Sequence, residues 1–190
     1  ETQGFKEITL RDIGARTSFT RTSIYNYFQT KEEIFLALLQ REHEAWTADL
    51  ETILQTRERL TAAEFADAIA RTLEKRACML KLESMNLYDM EGSSRMENLV
   101  AFKRADGAAM DALARCLEKF FPRMTAADIQ GFLYAFFPFL FGIYPYTVVT
   151  DKQRAAMDQA HVRFPQLTIY EITNSMVRKL LGACGTPLTA

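Results

Sequence analysis

The basic residues of this chain are concentrated near its start. Five basic residues stand against two acidic ones between residues 6 and 31, whereas the whole chain carries a net charge of −1. Arginine, lysine and hydroxyl side chains, which are mixed in this segment, are the groups that contact phosphate oxygens and base edges. On charge alone, solvated helix faces are the simpler interpretation. The spacing of these residues therefore has to decide between a DNA-binding segment and solvated helix faces.

Three threonines predict where the helices of this segment begin. These candidate N-caps are Thr9, Thr20 and Thr30. Each is followed three residues later by a polar side chain able to reach back to the cap, namely Asp12, Ser23 or Glu33. The residues at helical spacing that can pack between the caps are Leu10, Ile13, Thr17, Phe19 and Ile24. The pattern predicts two short helices, a tight turn and a long helix, which is the layout of a helix-turn-helix DNA reader.

The segment resembles the tetracycline-repressor (TetR) family of transcriptional regulators. The resemblance rests on Gly4-Phe5, Ile13, Thr20, Ile24-Tyr25, Tyr27-Phe28 and Lys31-Glu32-Glu33. At the turn this chain has Thr17-Ser18-Phe19, where the family usually has Ala-Gly-Val. A serine in place of that glycine predicts some backbone strain if a positive φ is needed there. Since Gly4-Phe5 is typical of the end of the family's first helix, we expect that helix to be largely absent from the chain.

The resemblance implies which side chains contact DNA. Residues 21–23, at the start of the second helix, would face base edges or adjoining phosphates. Tyr25 and Tyr27 would give their hydroxyls to phosphates, with partial core packing as the alternative. Lys31 would lie against the DNA backbone. The complete candidate set is Thr9, Thr20, Arg21, Thr22, Ser23, Tyr25, Asn26, Tyr27 and Lys31.

Amphipathic helices without a strand pattern fill the rest of the sequence. The expected starts are Lys31, Thr61, Thr125 and Thr168, with a further long helix from about Leu99 to the stop at Pro122. An apolar stripe predicts one continuous helix after Thr61 through Phe65, Ile69, Leu73 and Leu80. We therefore expect an all-α fold, with a helix-turn-helix DNA-binding domain over residues 1–30. A helical bundle for effector binding and dimerisation would occupy residues 31–190.

The segment from Ile129 to Thr150 has no charged residue and eight phenylalanines and tyrosines. A membrane span fits it in length, but two prolines and two glycines interrupt it and no second span exists. A buried core helix is the simpler interpretation, and the resemblance adds a dimer interface or a ligand cavity. Pro138 predicts a bend that opens a gap in the bundle. For dimer contacts we expect residues 125–146 and 168–181, with the apolar face Ile169, Ile172, Met176 and Leu180.

A cavity for a small apolar effector is expected beside this segment. Tyr134, Phe137 and Phe141 recur at i, i+3 and i+7, so we place them on one face. A methionine-rich wall between residues 79 and 102 would lie opposite, unless its methionines only fill gaps in the core. The candidate ligand-binding residues are Met85, Tyr88, Phe102, Tyr134, Phe137, Phe141 and Tyr144.

The sequence supports neither catalysis nor a cofactor or metal. His43 and His161 are expected on polar helix surfaces, and no nucleotide-binding or nucleophile motif is present. Three scattered cysteines, Cys78, Cys116 and Cys184, predict reduced core thiols in a cytoplasmic protein. The function expected is a ligand-responsive repressor, a homodimer on a palindromic DNA operator, released by a small apolar effector. The alternative is a helical small-molecule-binding or enzymatic bundle without DNA binding.

Overall fold

The computed structural model describes residues 9–15, 24–25, 27–85 and 87–183. Its regular secondary structure is helical in all of these ranges, and no strand occurs in them. The helices are α1 (Leu10–Ala15), α2 (Lys31–Thr56), α3 (Ala62–Glu74), α4 (Ala77–Glu83), α5 (Leu87–Gly92), α6 (Met96–Phe120), α7 (Ala126–Thr147), α8 (Asp151–Gln159) and α9 (Ile169–Ala183). The prediction of an all-α fold is confirmed.

Helix α2 is the central element of the bundle. It begins at Lys31 and ends at Thr56, as its cap and polar break predict. Its buried residues follow a stripe at alternating spacings of three and four, Leu36, Leu39, His43, Trp46 and Leu50. Helix α6 packs along this stripe. Three buried alanines of α6, Ala105, Ala109 and Ala112, allow the two helices to approach closely.

Local capping explains most of the helix starts. The threonine before α3, α7 or α8 forms a reciprocal capping box with the residue three positions later. Thr168 makes the same exchange with Glu171 at the start of α9. The sequence predicted the boxes at Thr61, Thr125 and Thr168. Helix α8 was missed, although Thr150 with Gln153 has the same spacing.

The continuous helix expected after Thr61 is wrong, because the chain breaks between α3 and α4. Lys75 and Arg76 stand at this break, and both bind Asp49 of α2. The Lys75 Nζ to Asp49 Oδ1 distance is 2.7 Å, and the Arg76 Nε to Asp49 Oδ2 distance is 3.0 Å. Arg76 also donates to the carbonyl oxygen of Ala45 at 2.7 Å. These long-range contacts, which no local pattern encodes, set α4 on a new path against α7.

Helix α9 packs against α3 and α7 within the same chain. Ile169, Ile172 and Leu180 contact the core. The apolar face that we expected at a dimer interface is therefore only partly covered within the chain, and its place in the interface stays a prediction.

The cysteines divide between core and surface. Cys116 is buried and donates to the carbonyl oxygen of Leu50 at 3.6 Å, and burial raises the pKa of its thiol to about 11. Cys78 is exposed, which contradicts the expected core position, since its side chain lies on the outer side of the short helix α4. Cys184 lies outside the described residues.

Candidate DNA-binding surface and interior cluster

The start of α1 has the capping box that the sequence predicted. The Thr9 N–H donates to Asp12 Oδ2 at 2.9 Å, and the Asp12 N–H donates to Thr9 Oγ1 at 3.2 Å. Thr9 is exposed. The box fixes the first turn of α1, and the DNA contact assigned to Thr9 stays a prediction.

Part of the second short helix can be described. Ile24 is buried, and its carbonyl oxygen accepts a hydrogen bond from the Phe28 N–H at 2.9 Å. The neighbouring rings point outward, since Tyr25 is 44% and Tyr27 is 70% exposed. Tyr27 therefore lies mainly outside the core, whereas more than half of Tyr25 is covered. The candidates Thr20, Arg21, Thr22, Ser23 and Asn26 lie outside the described residues.

Lys31 is the first residue of α2 and is partly exposed. The cap before it forms only half of the predicted box. The Glu33 N–H donates to Thr30 Oγ1 at 3.2 Å, but the Glu33 carboxylate does not return to the N–H of its cap. It accepts instead from the Gln29 N–H at 2.7 Å. The reciprocal half of that prediction is wrong because a stronger partner holds the carboxylate.

That partner is Arg95, the residue that precedes α6. Its backbone N–H and its Nε donate to Glu33 Oε1 at 3.0 and 2.7 Å, and an amino group donates to Glu33 Oε2 at 3.0 Å. The Glu33 side chain is fully buried. Hydrogen bonds from the Arg95 side chain lower the pKa of Glu33 from 4.5 to about 2, although burial acts in the opposite direction. Glu33 is therefore ionised at neutral pH.

Two further hydrogen bonds join the same segments. Arg95 donates to the carbonyl oxygen of Tyr27 at 2.8 Å, and Thr30 Oγ1 donates to the carbonyl oxygen of Ser93 at 3.2 Å. We call this set the reader junction, which consists of Tyr27, Gln29, Thr30, Glu33, Ser93 and Arg95. Sequence reasoning missed Arg95, because it lies 62 residues from Glu33 and carries no local signal.

A second polar group lies in the middle of the bundle. His43 is fully buried, and its Nε2 lies 2.7 Å from Glu83 Oε1. Its ring centroid lies 6.4 Å from that of Trp46 and 5.9 Å from that of Phe102, both in edge contact. The expected surface position of His43 is wrong, since the apolar stripe of α2 passes through this residue. His161, by contrast, is exposed and follows α8 with a φ of 53°.

The candidate effector residues fall into three groups, which are buried, half-buried and exposed. Phe102 and Phe137 are buried, and Phe137 lies 5.8 Å from Trp46 between ring centroids. They complete what we call the interior cluster, His43, Trp46, Glu83, Phe102 and Phe137. Met85 and Tyr144 are half-buried at the edge of the core. Tyr88, Tyr134 and Phe141 are exposed and do not join this cluster, so Tyr134, Phe137 and Phe141 do not share the one face expected of them.

Helix α7 presents an uncharged exposed face. This α7 stripe consists of Ala127, Gln130, Gly131, Tyr134, Pro138, Phe141, Gly142 and Pro145. The helix is long and apolar enough to cross a membrane by length and composition alone, which is weak evidence because a core helix passes the same test. Only 28% of its most apolar window is buried within the chain. The exposed α7 stripe is available to a partner.

Comparison with family models gives two matches, one in the N-terminal part of the chain and one in the C-terminal part. The model described as bacterial regulatory proteins, tetR family, matches residues 1–38, and the model of the tetracyclin repressor-like C-terminal domain matches residues 40–182. The chain belongs to the TetR family. The resemblance seen in the N-terminal motifs is thus confirmed, and the protein is a DNA-binding transcriptional regulator of the helix-turn-helix class. A comparison with curated proteins found no match.

In this TetR-family regulator, one continuous helix links the two matched regions. Helix α2 spans residues 31–56, and the regions meet at residue 39 within it. A change in the packing of α2 against α6 can therefore reach the DNA-binding end without crossing a flexible linker. Among the described residues, no group of three His, Cys, Asp or Glu side chains is placed to hold a metal ion.

Proposed function

We propose that this TetR-family regulator is a cytoplasmic, non-enzymatic repressor that binds a palindromic DNA operator as a homodimer. A small, largely apolar effector releases it from the operator. The observation that carries the proposal is the combination of two features: a helix-turn-helix segment at the N-terminal end of α2, and the uncharged, exposed α7 stripe. The first supplies DNA contact, and the second supplies a surface for a second copy.

Dimerisation is supported by the two glycines of the α7 stripe. Glycine in a helix costs about 1 kcal/mol relative to alanine. Apart from the neighbouring residues and backbone of its own helix, a Cβ added at Gly131 or Gly142 would meet no atom within 4 Å, so packing against the rest of the chain does not require either glycine. Small residues on a helix face allow a second helix to approach closely. Two copies related by a two-fold axis would also present two readers to two half-sites.

DNA contact is assigned to the second short helix and the start of α2. Arg21, with the polar side chains at residues 20–23 and 26, would meet base edges and adjoining phosphates. The outward rings of Tyr25 and Tyr27 and the position of Lys31 suit phosphate contacts on either side.

Effector binding is assigned to the interior cluster and the half-buried residues beside it. Aromatic rings from α2, α6 and α7 meet there, so an apolar molecule between them would alter the contacts that hold α6 to α2. His43 Nδ1 and Glu83 Oε2 are buried without a hydrogen-bond partner, and the nearest carboxylate oxygen to Nδ1, Asp106 Oδ1, lies 4.0 Å away. An effector with one polar group on an apolar body would satisfy such atoms.

The test uses fluorescently labelled DNA duplexes that together cover the region upstream of the gene for this chain. The protein is titrated into each duplex, and binding is measured by fluorescence anisotropy. We expect one duplex to bind far more tightly than the others, and its affinity to fall as salt rises. A set of aromatic and acyl compounds that raise the thermal midpoint is then added to the complex. Equal, weak binding of every duplex at low salt would contradict the DNA-binding proposal. Compounds that stabilise the protein but leave operator affinity unchanged would contradict the effector proposal.

A further inference from the structure

One buried carboxylate joins the DNA-binding end of the chain to its body. Glu33 accepts four hydrogen bonds, three from Arg95 and one from the Gln29 N–H. A carboxylate has room for about four such donors, so its hydrogen-bonding capacity is filled. Because Glu33 is buried and ionised, loss of its partners would be costly. The contact is therefore set in one geometry.

The body fixes the position of this carboxylate from the side of α6. Arg95 is the N-cap of α6 and has no side-chain capping bond of its own. Glu33 accepts the Arg95 backbone N–H, so it acts as a cap supplied by another helix. Since α6 packs along α2, the start of α6 cannot shift without moving Arg95 relative to Glu33.

The DNA-binding end is fixed from the other side by the same two residues. Arg95 donates to the carbonyl oxygen of Tyr27, and Glu33 accepts from the Gln29 N–H. Tyr27 is the last helical residue of the second short helix, and Gln29 lies two residues after it. The last turn of that helix is thus hydrogen-bonded to a single ion pair, which in turn is bonded to α6.

We infer that Glu33 and Arg95 are positioning residues for DNA binding. They hold the second short helix at the angle that DNA requires, and they do so through the reader junction without contacting DNA. Breaking the pair lets this helix sample other angles, and the apparent affinity falls with the fraction of molecules in the competent one. The inference rests on the proposed DNA contacts of that helix.

The experiment compares Glu33→Gln, Arg95→Ala and the double variant with the parent protein. The matched control is Arg115→Ala, since Arg115 pairs with Glu51 and also joins α6 to α2, but far from the junction. We expect either junction variant to lower operator affinity about tenfold, as when a tenth of the molecules remains competent. The double variant should lose less than the sum of the two single losses, because both changes break the Glu33–Arg95 pair. Arg115→Ala should bind within twofold of the parent.

The salt dependence separates positioning from direct contact. A positioning role leaves the slope of log affinity against log salt unchanged in Arg95→Ala. A slope that falls by about one, together with normal binding by Glu33→Gln, would make Arg95 a phosphate contact and overturn the inference. Additive losses in the double variant would also contradict it.

Hydrogen exchange without DNA keeps this inference separate from the proposed function. Glu33→Gln should speed exchange at the Gln29 and Phe28 amides while the amides of α2 beyond residue 39 stay protected. The hydrogen-exchange measurement tests the inference even if the parent protein binds none of the duplexes. Unchanged exchange at Gln29 and Phe28 would show that the pair does not hold the helix, and the inference would fail.

Discussion

Replacing Glu83 by leucine should destabilise the bundle more than removal of any surface ion pair. The substitution leaves His43 Nε2 buried without the acceptor that lies 2.7 Å away in the parent. An unsatisfied buried polar group costs about 1–3 kcal/mol, and because this site is fully buried we expect the upper end of that range. Since one exposed residue pair is worth about 0–1 kcal/mol, the expected loss of about 3 kcal/mol stands clear of that background.

The double variant His43→Leu with Glu83→Leu provides the decisive comparison. It removes both polar groups and keeps apolar volume between Trp46 and Phe102, so it should recover most of the stability. The comparator for a surface pair is Glu51→Gln, which weakens the exposed contact with Arg115.

Thermal unfolding followed by circular dichroism measures these differences. For a chain of this size a loss of 1 kcal/mol lowers the midpoint by about 2–4 °C, so Glu83→Leu should unfold about 6–12 °C below the parent. All variants must be compared at one protein concentration, because dimerisation shifts the midpoint. A midpoint for Glu83→Leu that equals that of Glu51→Gln, or a double variant less stable than Glu83→Leu, would refute this reasoning.

Three other outcomes are expected. Tyr134→Glu should dissociate the dimer in sedimentation, because a two-fold interface receives the added charge twice. The control Val100→Glu on α6 should leave the dimer intact. Equal effects of the two variants would rule out the α7 stripe as the dimer interface. Acid should open the reader junction, because the pKa of Glu33 is lowered from 4.5 to about 2. The contribution of Glu33 to the stability of the junction is complete above pH 4.5. Protection of the Gln29 amide from hydrogen exchange should fall as the pH drops from 4.5 toward 2. Early loss at pH 6 would contradict this. Arg21→Ala should lower operator affinity by about 1–3 kcal/mol and relax specificity, while Lys31→Ala should weaken all sequences alike and flatten the salt slope; the opposite pattern would reverse their roles.

Helix starts were predictable from the sequence because capping is local. A threonine and an acidic residue three positions later are enough to satisfy the first N–H groups of a helix. The starts of α1, α2, α3, α7 and α9 were therefore predicted at the correct caps. The N-terminal motifs likewise identified the family, because they lie within one short segment.

The two polar centres of the molecule were not predictable in the same way. Glu33 has the spacing of a capping-box residue, and only its distance to Arg95, 62 positions away, shows that it joins two parts of the chain. His43 has a polar side chain among charged neighbours, which favours the surface. It is buried because α6 and α4 cover that side of α2. Such positions depend on which helices pack together, and one sequence without its packing does not supply that information.

The central claim is that this protein binds operator DNA as a dimer. The stoichiometry and salt dependence of the DNA complex test that claim most directly. Light scattering should be measured on the full chain with the tightest-binding upstream duplex, across a series of salt concentrations. We predict two chains per duplex, two chains in the free protein, and an affinity that falls steeply with salt. A monomeric chain that binds this duplex no better than an unrelated one at low salt would contradict the account.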